Sequence, residues 1–361
     1  ISVATISRIL TPAEIGVFSV SIAFLLLAQE VRNFGVGAYI VRERDLTEEK
    51  FRAAVAIAYV TCWVIAVLFW ITAPAIGGFF DEPGLTSILQ IVAFTFVFQP
   101  LVIPVRAFLQ RHLRFGVLMK INWLSSITRV AFSISLALMG FSYLSMAIGI
   151  VAGLLMEAFL CQRWRPPEVP LRPRFRQLGG ILRFGVWITL SGVVNRLTRH
   201  LPEFVVGKFF SFAAVGFFSR GQSIAELYDR AVTRAVMPVF LPHLAGMVER
   251  PRDFAEGYAK AFACQLAVAS LFFIPTYWNV DVVILVLFGD QWGGATPVAR
   301  VLCVWGIVLA LIPVSRNAAV ALGVVRKLFW IDVISLLMVS ALAAVALRFD
   351  MLGVAYAAVA G

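Results

Sequence analysis

The sequence is poor in charge and in histidine, and both shortages exclude common classes of protein. Only 14% of its 361 residues are charged and three are histidine, whereas soluble domains carry about 25% charged residues. Its four cysteines lie singly in apolar segments, which excludes a disulfide framework and a CxxC metal site. These shortages argue against a soluble enzyme and against a metal site.

Motifs of catalysis are lacking as well. The sequence contains no P-loop, no GxSxG and no HExxH, and no polar loop is long enough to hold a soluble catalytic domain. We therefore predict no catalytic residue, no cofactor, no ATPase within the chain and no enzymatic activity.

Apolar residues are abundant instead, at 61% of the chain, and the mean hydropathy is +0.90. A membrane helix needs about 20 predominantly apolar residues, and unbroken runs of that length favour helices over barrel strands. The apolar segments are 15–40, 53–80, 83–105, 130–156, 182–207, 212–240, 261–289, 297–322 and 333–347. The basic loops ending at Lys120 and starting at Arg163 leave two helices between them, so these nine segments predict ten complete spans of an all-α integral membrane protein. Residues 1–9 and 351–361 resemble the end of a first helix and the start of a twelfth, so we expect the sequence to lack most of helix 1 and the end of helix 12.

Basic residues are distributed unequally between the two sides of these spans. Nineteen lie in loops on one side and three, Arg8, Lys208 and Arg348, on the other. An excess of lysine and arginine marks cytoplasmic loops, so this pattern predicts a cytoplasmic N-terminus. It also explains much of the net charge of +11 without a nucleic-acid partner.

Three sequence matches at a nearly constant offset indicate an internal repeat. TPAEIGVFS at 11–19 aligns with SFAAVGFFS at 211–219, FFDEPG at 79–84 with FGDQWG at 288–293, and residues 141–153 with 349–361. We therefore predict two six-helix lobes related by the repeat. The predicted N-terminal lobe is 1–162, the basic cytoplasmic linker is 163–183 and the C-terminal lobe is 184–361. Parallel repeats of this kind place a substrate site where the halves meet.

Charged residues inside the predicted spans are the candidate functional residues. A charge near the bilayer centre costs about 2.5–3.5 kcal/mol even on the lenient scale, so a deep charge should face a cavity or a partner. Arg196, Arg199, His200 and Glu203 follow the i, i+3, i+4, i+7 spacing of one helix face.

The candidates fall into two groups. The predicted cationic, substrate-binding cavity comprises Arg196, Arg199, Arg32, Arg129, Arg220 and Asn195. Candidates for ion coupling or charge pairing are Glu203, His200, Asp229, Glu226 and Arg230. Further arginines in the spans are Arg234, Arg300 and Arg316.

The alternative for all of these charged residues is a structural role, as buried ion pairs or as side chains that extend to the membrane surface. For His200 and Glu203 we favour pairing with neighbouring arginines over a proton relay. Because arginine binds phosphate through two hydrogen bonds and stays charged, the cavity predicts a substrate with phosphate or carboxylate groups.

Several stretches resemble the polysaccharide transporter family, the repeat-unit flippases for O-antigen and exopolysaccharide. They include ISRILTPAEIGVFSVSIAF, VRNFGVGAYIVRERDLTEEKFRAA, FFDEPGL, LQRHLRF and LFGDQWGGATPVARVL. The resemblance covers essentially the whole sequence. It implies membership of the multidrug/oligosaccharidyl-lipid/polysaccharide exporter superfamily and a fold like that of MATE and MurJ transporters.

The family implies a function that can be tested against alternatives. It implies movement of undecaprenyl-diphosphate-linked oligosaccharide across the bacterial inner membrane by alternating access, with membrane lipid, a polysaccharide polymerase and a chain-length regulator as partners. One alternative is an ion-coupled drug or cation antiporter, for which Asp229, Glu226 and Asp332 would supply carboxylates. The others are a membrane-embedded polymerase or ligase, which would need a larger outer loop than this sequence has, and a structural scaffold.

Overall fold

The computed structural model describes residues 2–33, 36–43, 46–175, 179–233, 247, 250–322, 325–346 and 353. These residues form helices and no strand. The α-helices are α1 Ser2–Ile9, α2 Pro12–Asn33, α3 Val36–Arg42, α4 Glu48–Phe79, α5 Pro83–Arg111, α6 Phe115–Leu138, α7 Leu144–Arg163, α8 Gly179–Phe209, α9 Phe212–Tyr228, α10 Pro251–Trp278, α11 Val280–Phe288, α12 Thr296–Ala321 and α13 Val325–Ala346. A π-helical turn, Asp229–Thr233, follows α9, and a 3₁₀ helix, Asp290–Ala295, precedes α12.

Local sequence sets where these helices begin. Thr11 and Glu14 form a capping box at the start of α2, in which the backbone N–H of Thr11 donates to the Glu14 carboxylate at 2.7 Å. The hydroxyl of Thr47 accepts from the backbone of Lys50 at the start of α4. A proline occupies the first turn of α5, where its missing N–H costs no hydrogen bond.

Eight helices in the described part of the chain are long and apolar enough to cross a membrane. These candidate spans correspond to α2, α4, α5, α6, α7, α10, α12 together with the 3₁₀ helix before it, and α13. Large apolar side chains on their surfaces, such as Ile71 at 66% and Leu271 at 78% exposed, suit contact with lipid tails. The predicted spans 182–207 and 212–240 fall on α8 and α9, which are not among the eight, although α8 is 31 residues long.

Three predicted segments differ from the observed helices. The apolar run 130–156 contains the end of α6 and part of α7, and a turn at 139–143 separates these two helices. Gly140 has a φ of +85° there, a conformation that glycine adopts without strain. Segment 15–40 is divided between α2 and α3, and segment 261–289 between α10 and α11. Arg234 and the predicted helix at 351–361, apart from Gly353, lie outside the described residues.

The chain divides into two compact units. The first comprises residues 1–10 and 17–197, and the second comprises residues 11–16 and 198–361. In the first unit, α4, α5, α6 and α7 pack side by side, and an apolar core joins α4, α5 and α7 around Val55, Val105 and Leu154. In the second unit, α12 packs against α9 and α10, and Phe218, Val298 and Leu302 form a core between α9 and α12.

Two aligned positions of the sequence repeat meet inside the second unit. A Cβ atom on Gly16 would lie 1.7 Å from the backbone oxygen of Phe212, and one on Gly216 would lie 2.1 Å from that of Pro12. The first turns of α2 and α9 therefore touch backbone to backbone, with one glycine from each copy at the crossing.

Candidate functional site

A polar pocket of about 330 Å³ lies within the first unit. Its walls come from α2, α5, α6 and α7 and consist mainly of amide, hydroxyl and charged side chains. The lining residues are Gln29, Thr95, Gln99, Arg106, Asn122, Ser125, Ser126, Arg129, Ile150, Gly153, Leu154 and Glu157. Asn122 and Arg129 in this lining are exposed, so the pocket opens at the surface of the unit and can receive water or a polar ligand.

One face of α6 supplies four of the polar lining groups. Asn122, Ser125, Ser126 and Arg129 occupy positions i, i+3, i+4 and i+7, which lie above one another on a helix. The hydroxyl of Ser125 donates to the carbonyl of Ile121 at 2.7 Å, so its oxygen can still accept from a ligand. The α6 helix therefore presents a continuous polar stripe to the pocket.

Close packing of α6 on α7 fixes the position of this stripe. Gly149 and Gly153 lie one turn apart on α7 and face α6, a spacing that lets membrane helices approach closely. A Cβ atom on Gly153 would lie 2.8 Å from the Cβ of Arg129, and one on Gly149 would lie 2.9 Å from the carbonyl oxygen of Arg129. The backbone of Arg129 is thus set by direct contact with the neighbouring helix.

Arg106 of α5 is neutralised inside the pocket. Its Nη1 donates to Oε1 of Glu157 on α7 at 2.6 Å and to Oδ1 of Asn122 on α6 at 2.7 Å. The ion pair is only partly buried, with about a third of the Arg106 side chain exposed. It ties three helices together at one point of the pocket wall.

Arg129 differs from Arg106 because its guanidinium has no hydrogen-bonding or ion-pair partner among the described residues. The pocket lining contains two arginines and one glutamate. Once Arg106 is paired with Glu157, one positive charge remains, and Arg129 carries it. The pocket can therefore attract an anionic group.

Arg196 also lies in the first unit, near the same region of α2. Its Nε donates to Oε2 of Glu30 at 3.3 Å, and Glu30 is adjacent in sequence to Gln29 of the pocket wall. This ion pair joins α8 to α2, and the Arg196 side chain remains 41% exposed.

In the second unit, His200 and Glu203 are buried and contact each other, with 3.1 Å between Nδ1 and Oε2. The spacing of three residues places the two side chains on one face of α8. The expectation that they pair with neighbouring arginines stays a prediction.

Arg220 of α9 is buried, at 8% exposure. Its guanidinium lies 5.5 Å from the ring centre of Phe288 and 5.6 Å from that of Trp292, within the range of cation–π attraction. Among the described residues, its Nε has no hydrogen-bond partner. The structure thus places Arg220 against aromatic rings of the segment that precedes α12.

Two carboxylates of the second unit, on Glu226 and Asp332, accept hydrogen bonds from arginines. Glu226 accepts from Arg230 at 2.6 Å on an exposed helix face. Asp332 accepts two hydrogen bonds from Arg316, at 2.5 and 3.2 Å, and is itself buried. Asp229 begins the π-helical turn after α9.

The structure therefore brings together only some of the predicted site residues. Arg129 lines the pocket, and Arg196 contacts Glu30 next to Gln29. Arg32 lies half-buried in the last turn of α2, Asn195 is half-buried on α8 and Arg199 is exposed on the same helix. The predicted roles of all these residues stay predictions.

Sequence reasoning missed Arg106, which it assigned to a basic loop, and the glutamines of the pocket wall. The signal that it could have used is the spacing of Asn122, Ser125, Ser126 and Arg129 along one face of α6. No group of three or more histidine, cysteine, aspartate or glutamate side chains that could hold a metal ion occurs in the described part of the chain.

Comparison with known proteins identifies a family and several relatives. Residues 5–297 match the family described as polysaccharide biosynthesis protein. The chain is 24% identical over 312 residues to the teichuronic acid biosynthesis protein TuaB of Bacillus subtilis (strain 168), and 22% identical over 318 residues to the lipopolysaccharide biosynthesis protein WzxC of Escherichia coli (strain K12). Each alignment covers 85% of this chain but only 64% and 63% of the two relatives. The chain thus spans less than two thirds of their length.

Solved structures resemble the fold. The lipid II flippase MurJ in an inward closed conformation superposes with a TM-score of 0.82 at 13% identity, covering 99% of this chain and 82% of MurJ. A MATE family multidrug resistance transporter in an inward-facing conformation gives a TM-score of 0.74 at 14% identity, covering 99% and 86%.

Long apolar helices and a polar pocket among them define the class: a multi-pass, all-helical membrane protein with the fold of MATE and MurJ transporters. Within that class, the chain belongs to the polysaccharide biosynthesis protein family, whose match covers most of its length. The membrane fold and the family predicted from the sequence are confirmed.

Proposed function

We propose that the protein is a flippase that moves undecaprenyl-diphosphate-linked oligosaccharide repeat units from the cytoplasmic to the periplasmic leaflet of the bacterial inner membrane. The repeat units would serve export of O-antigen, capsule or exopolysaccharide. The observation that carries the proposal is the pocket of the first unit, in which Arg129 has no described partner and amide and hydroxyl groups surround it. An anionic, hydroxyl-rich substrate matches this set of groups.

The mechanism that we propose is alternating access without chemistry on the substrate. Arg129 would attract the anionic parts of the substrate, with Arg196, Arg32 and Asn195 as further candidates in the first unit. For Arg199 and Arg220 of the second unit, a role in substrate binding stays a prediction. Arginine suits this role because it stays charged and offers several donors in a fixed plane. The protein would act without cofactor and without catalytic residues, and a polysaccharide polymerase and a chain-length regulator would act on the substrate after it.

Ion pairing in the second unit favours this proposal over a cation antiporter. A cation site needs carboxylates that are free to coordinate, yet Glu226 is bonded to Arg230 and Asp332 to Arg316. A membrane-embedded polymerase is disfavoured by the short outer turns, such as the five residues between α6 and α7. The relatives point the same way, since one is named a succinoglycan biosynthesis transport protein, ExoT of Rhizobium meliloti (strain 1021).

The decisive experiment uses the full-length gene, deleted from its host. We expect single undecaprenyl-linked repeat units to accumulate on the cytoplasmic leaflet, measured by extracting the lipid-linked sugars and probing their sidedness in intact cells and inverted vesicles. Accumulation on the outer leaflet would instead indicate a polymerisation or ligation step. Unchanged lipid-linked sugar would contradict the proposal and direct the next assay to drug and cation efflux.

A further inference from the structure

We infer that a groove on the outer surface of the α6–α7 pair binds an anionic phospholipid, whose phosphate is held by Lys120 and Arg163. The groove is separate from the polar pocket, which opens on a different side of the same two helices. The inference goes beyond the proposed function, since it does not depend on what the protein transports. It is carried by two unpartnered cations, by the exposed apolar side chains beside them and by the register of the helices.

One face of α6 carries a lysine followed by exposed apolar side chains. Lys120, Leu124 and Ile127 occupy positions i, i+4 and i+7, which lie on one face of a helix. All three side chains are exposed, Ile127 at 60%. Asn122 of the pocket lies two positions after Lys120, and residues two apart do not share a helix face. This lysine stripe therefore points away from the pocket.

One face of α7 ends in an arginine in the same way. Leu155, Phe159 and Arg163 follow one another at a spacing of four residues, and all three are exposed, Phe159 at 64%. Glu157 lines the pocket and lies two positions before Phe159. This arginine stripe therefore also points away from the pocket, and Glu157, which is bonded to Arg106, does not neutralise it.

Packing of the two helices brings both stripes to one groove. The pocket takes residues from α6 and from α7 on one side of the pair. Since both stripes point away from the pocket, they lie together on the other side of the pair. Between them runs a surface of exposed leucine, isoleucine and phenylalanine side chains, which suits an acyl chain.

The register of the helices brings the two cations to the same end of this groove. The helices are antiparallel, because a turn of five residues joins them. Gly153 packs against Ser125 and Arg129. Arg163 lies ten residues further along α7, in the direction of the first turns of α6, which contain Lys120. By the predicted topology, this end of the pair lies at the cytoplasmic surface, where phospholipid headgroups are.

Charge complementarity commits the groove to an anionic phospholipid. Lys120 and Arg163 have no hydrogen-bonding or ion-pair partner among the residues that the structure describes. Basic residues between membrane helices on the cytoplasmic side are a known arrangement for binding anionic headgroups. A zwitterionic headgroup would bring its own positive charge next to the two cations. The arrangement therefore favours a lipid with a net negative charge.

Native mass spectrometry of the full-length protein measures this binding directly. The detergent-solubilised protein is titrated with dioleoylphosphatidylglycerol or dioleoylphosphatidylcholine, which share acyl chains and differ in headgroup charge. We expect the wild type to bind the phosphatidylglycerol at least about fivefold more tightly. Lys120→Gln/Arg163→Gln should weaken that binding about tenfold or more, the loss of two cations from one phosphate.

Two matched variants are the controls. Arg172→Gln/Arg252→Gln removes the same charge from exposed positions outside α6 and α7 and should leave the affinity within about twofold of the wild type. Lys120→Arg/Arg163→Lys keeps both charges in the groove and should bind as the wild type does. Equal affinity of the wild type for the two lipids would overturn the inference. So would unchanged binding by Lys120→Gln/Arg163→Gln, or an equal loss in the variant with both distant charges removed.

A liposome assay distinguishes a bound phospholipid from the transported lipid, because a polyprenyl diphosphate offers the same phosphate chemistry. Movement of an undecaprenyl-diphosphate-linked disaccharide is measured in liposomes of phosphatidylcholine alone. Lys120→Gln/Arg163→Gln should move it within about twofold of the wild-type rate, since neither protein meets an anionic phospholipid there. A tenfold slower rate would assign the two cations to the transported lipid and overturn the inference. If the wild type itself shows no transport, the proposed function fails and the binding measurement still decides the inference.

Discussion

Arginines in the helices of this protein are stabilised in distinct ways. Arg316 is held by both oxygens of Asp332, Arg106 by Glu157 and Asn122, and Arg220 by two aromatic rings. An arginine that is held by other side chains of the protein has a structural role, so its removal should lower the stability of the fold. An arginine without a described partner, such as Arg129, is available to a ligand.

The ion pair of Arg316 with the buried Asp332 should contribute to the stability of the second unit. We expect Arg316→Leu to lower the free energy of unfolding by about 2–3 kcal/mol, because it removes the positively charged group that donates two hydrogen bonds to the buried Asp332 carboxylate. The figure is below the 3–5 kcal/mol of a fully buried pair because a third of the Arg316 side chain is exposed. Thermal unfolding in detergent measures the effect.

The double variant Arg316→Leu/Asp332→Leu is the control for this prediction. Since it removes both charges together, it should recover most of the lost stability. A double variant as unstable as Arg316→Leu would contradict the assignment of the loss to the buried charge of Asp332.

Arg106 shows why sequence alone could not identify the whole pocket. It lies five residues before Arg111 and reads as part of a basic loop, yet its partner Glu157 is 51 residues away. Only the packing of α5 on α7 turns the side chain inward. By contrast, Arg129 was predictable, because a charge in the middle of an apolar helix needs a polar environment wherever that helix packs.

At the scale of helices, contact between α6 and α7 determines the shape of the pocket. Gly149 and Gly153 allow the two backbones to approach, and the helices then hold Arg129 on one side and Glu157 on the other. The sequence revealed the helices through their apolar length but misplaced several ends. The run 130–156 shows the reason, since the turn that interrupts it contains few polar residues and its hydropathy resembles that of the helices on either side.

Gly153 tests the importance of this contact. We expect Gly153→Leu to lower stability by about 1–3 kcal/mol, the usual cost of overpacking, and to abolish transport by displacing Arg129. Gly116→Ala is the matched control, because a Cβ there meets no atom within 4 Å and the helix gains a better helix former. Detergent stability and the liposome assay measure both variants, and normal transport by Gly153→Leu would show that the pocket tolerates separation of the helices.

At the scale of the whole molecule, the distribution of charge predicts the topology. The excess of basic residues on one predicted side of the spans predicts that the turn at 139–143 lies on the outer side of the membrane and the segment 164–175 in the cytoplasm. The lobe boundaries 1–162, 163–183 and 184–361 stay predictions, because they derive from the repeat alone.

Cysteine labelling tests this topology in intact cells. In full-length protein with its cysteines replaced by serine, we expect Met139→Cys, at an exposed position, to react with a membrane-impermeant maleimide and Arg172→Cys to react only after the membrane is permeabilised. The two positions lie in segments outside the helices. The reverse pattern would invert the orientation and contradict an N-terminus in the cytoplasm.

The crossing of Gly16 and Gly216 limits which substitutions α2 and α9 can accept. A larger side chain at a helix contact can often be accommodated by a smaller residue on the facing helix. Here both residues are already glycine, and each faces a backbone carbonyl of the other helix, which no substitution can make smaller. A second substitution on the facing helix therefore cannot compensate for a larger residue at either position, and this crossing requires both glycines.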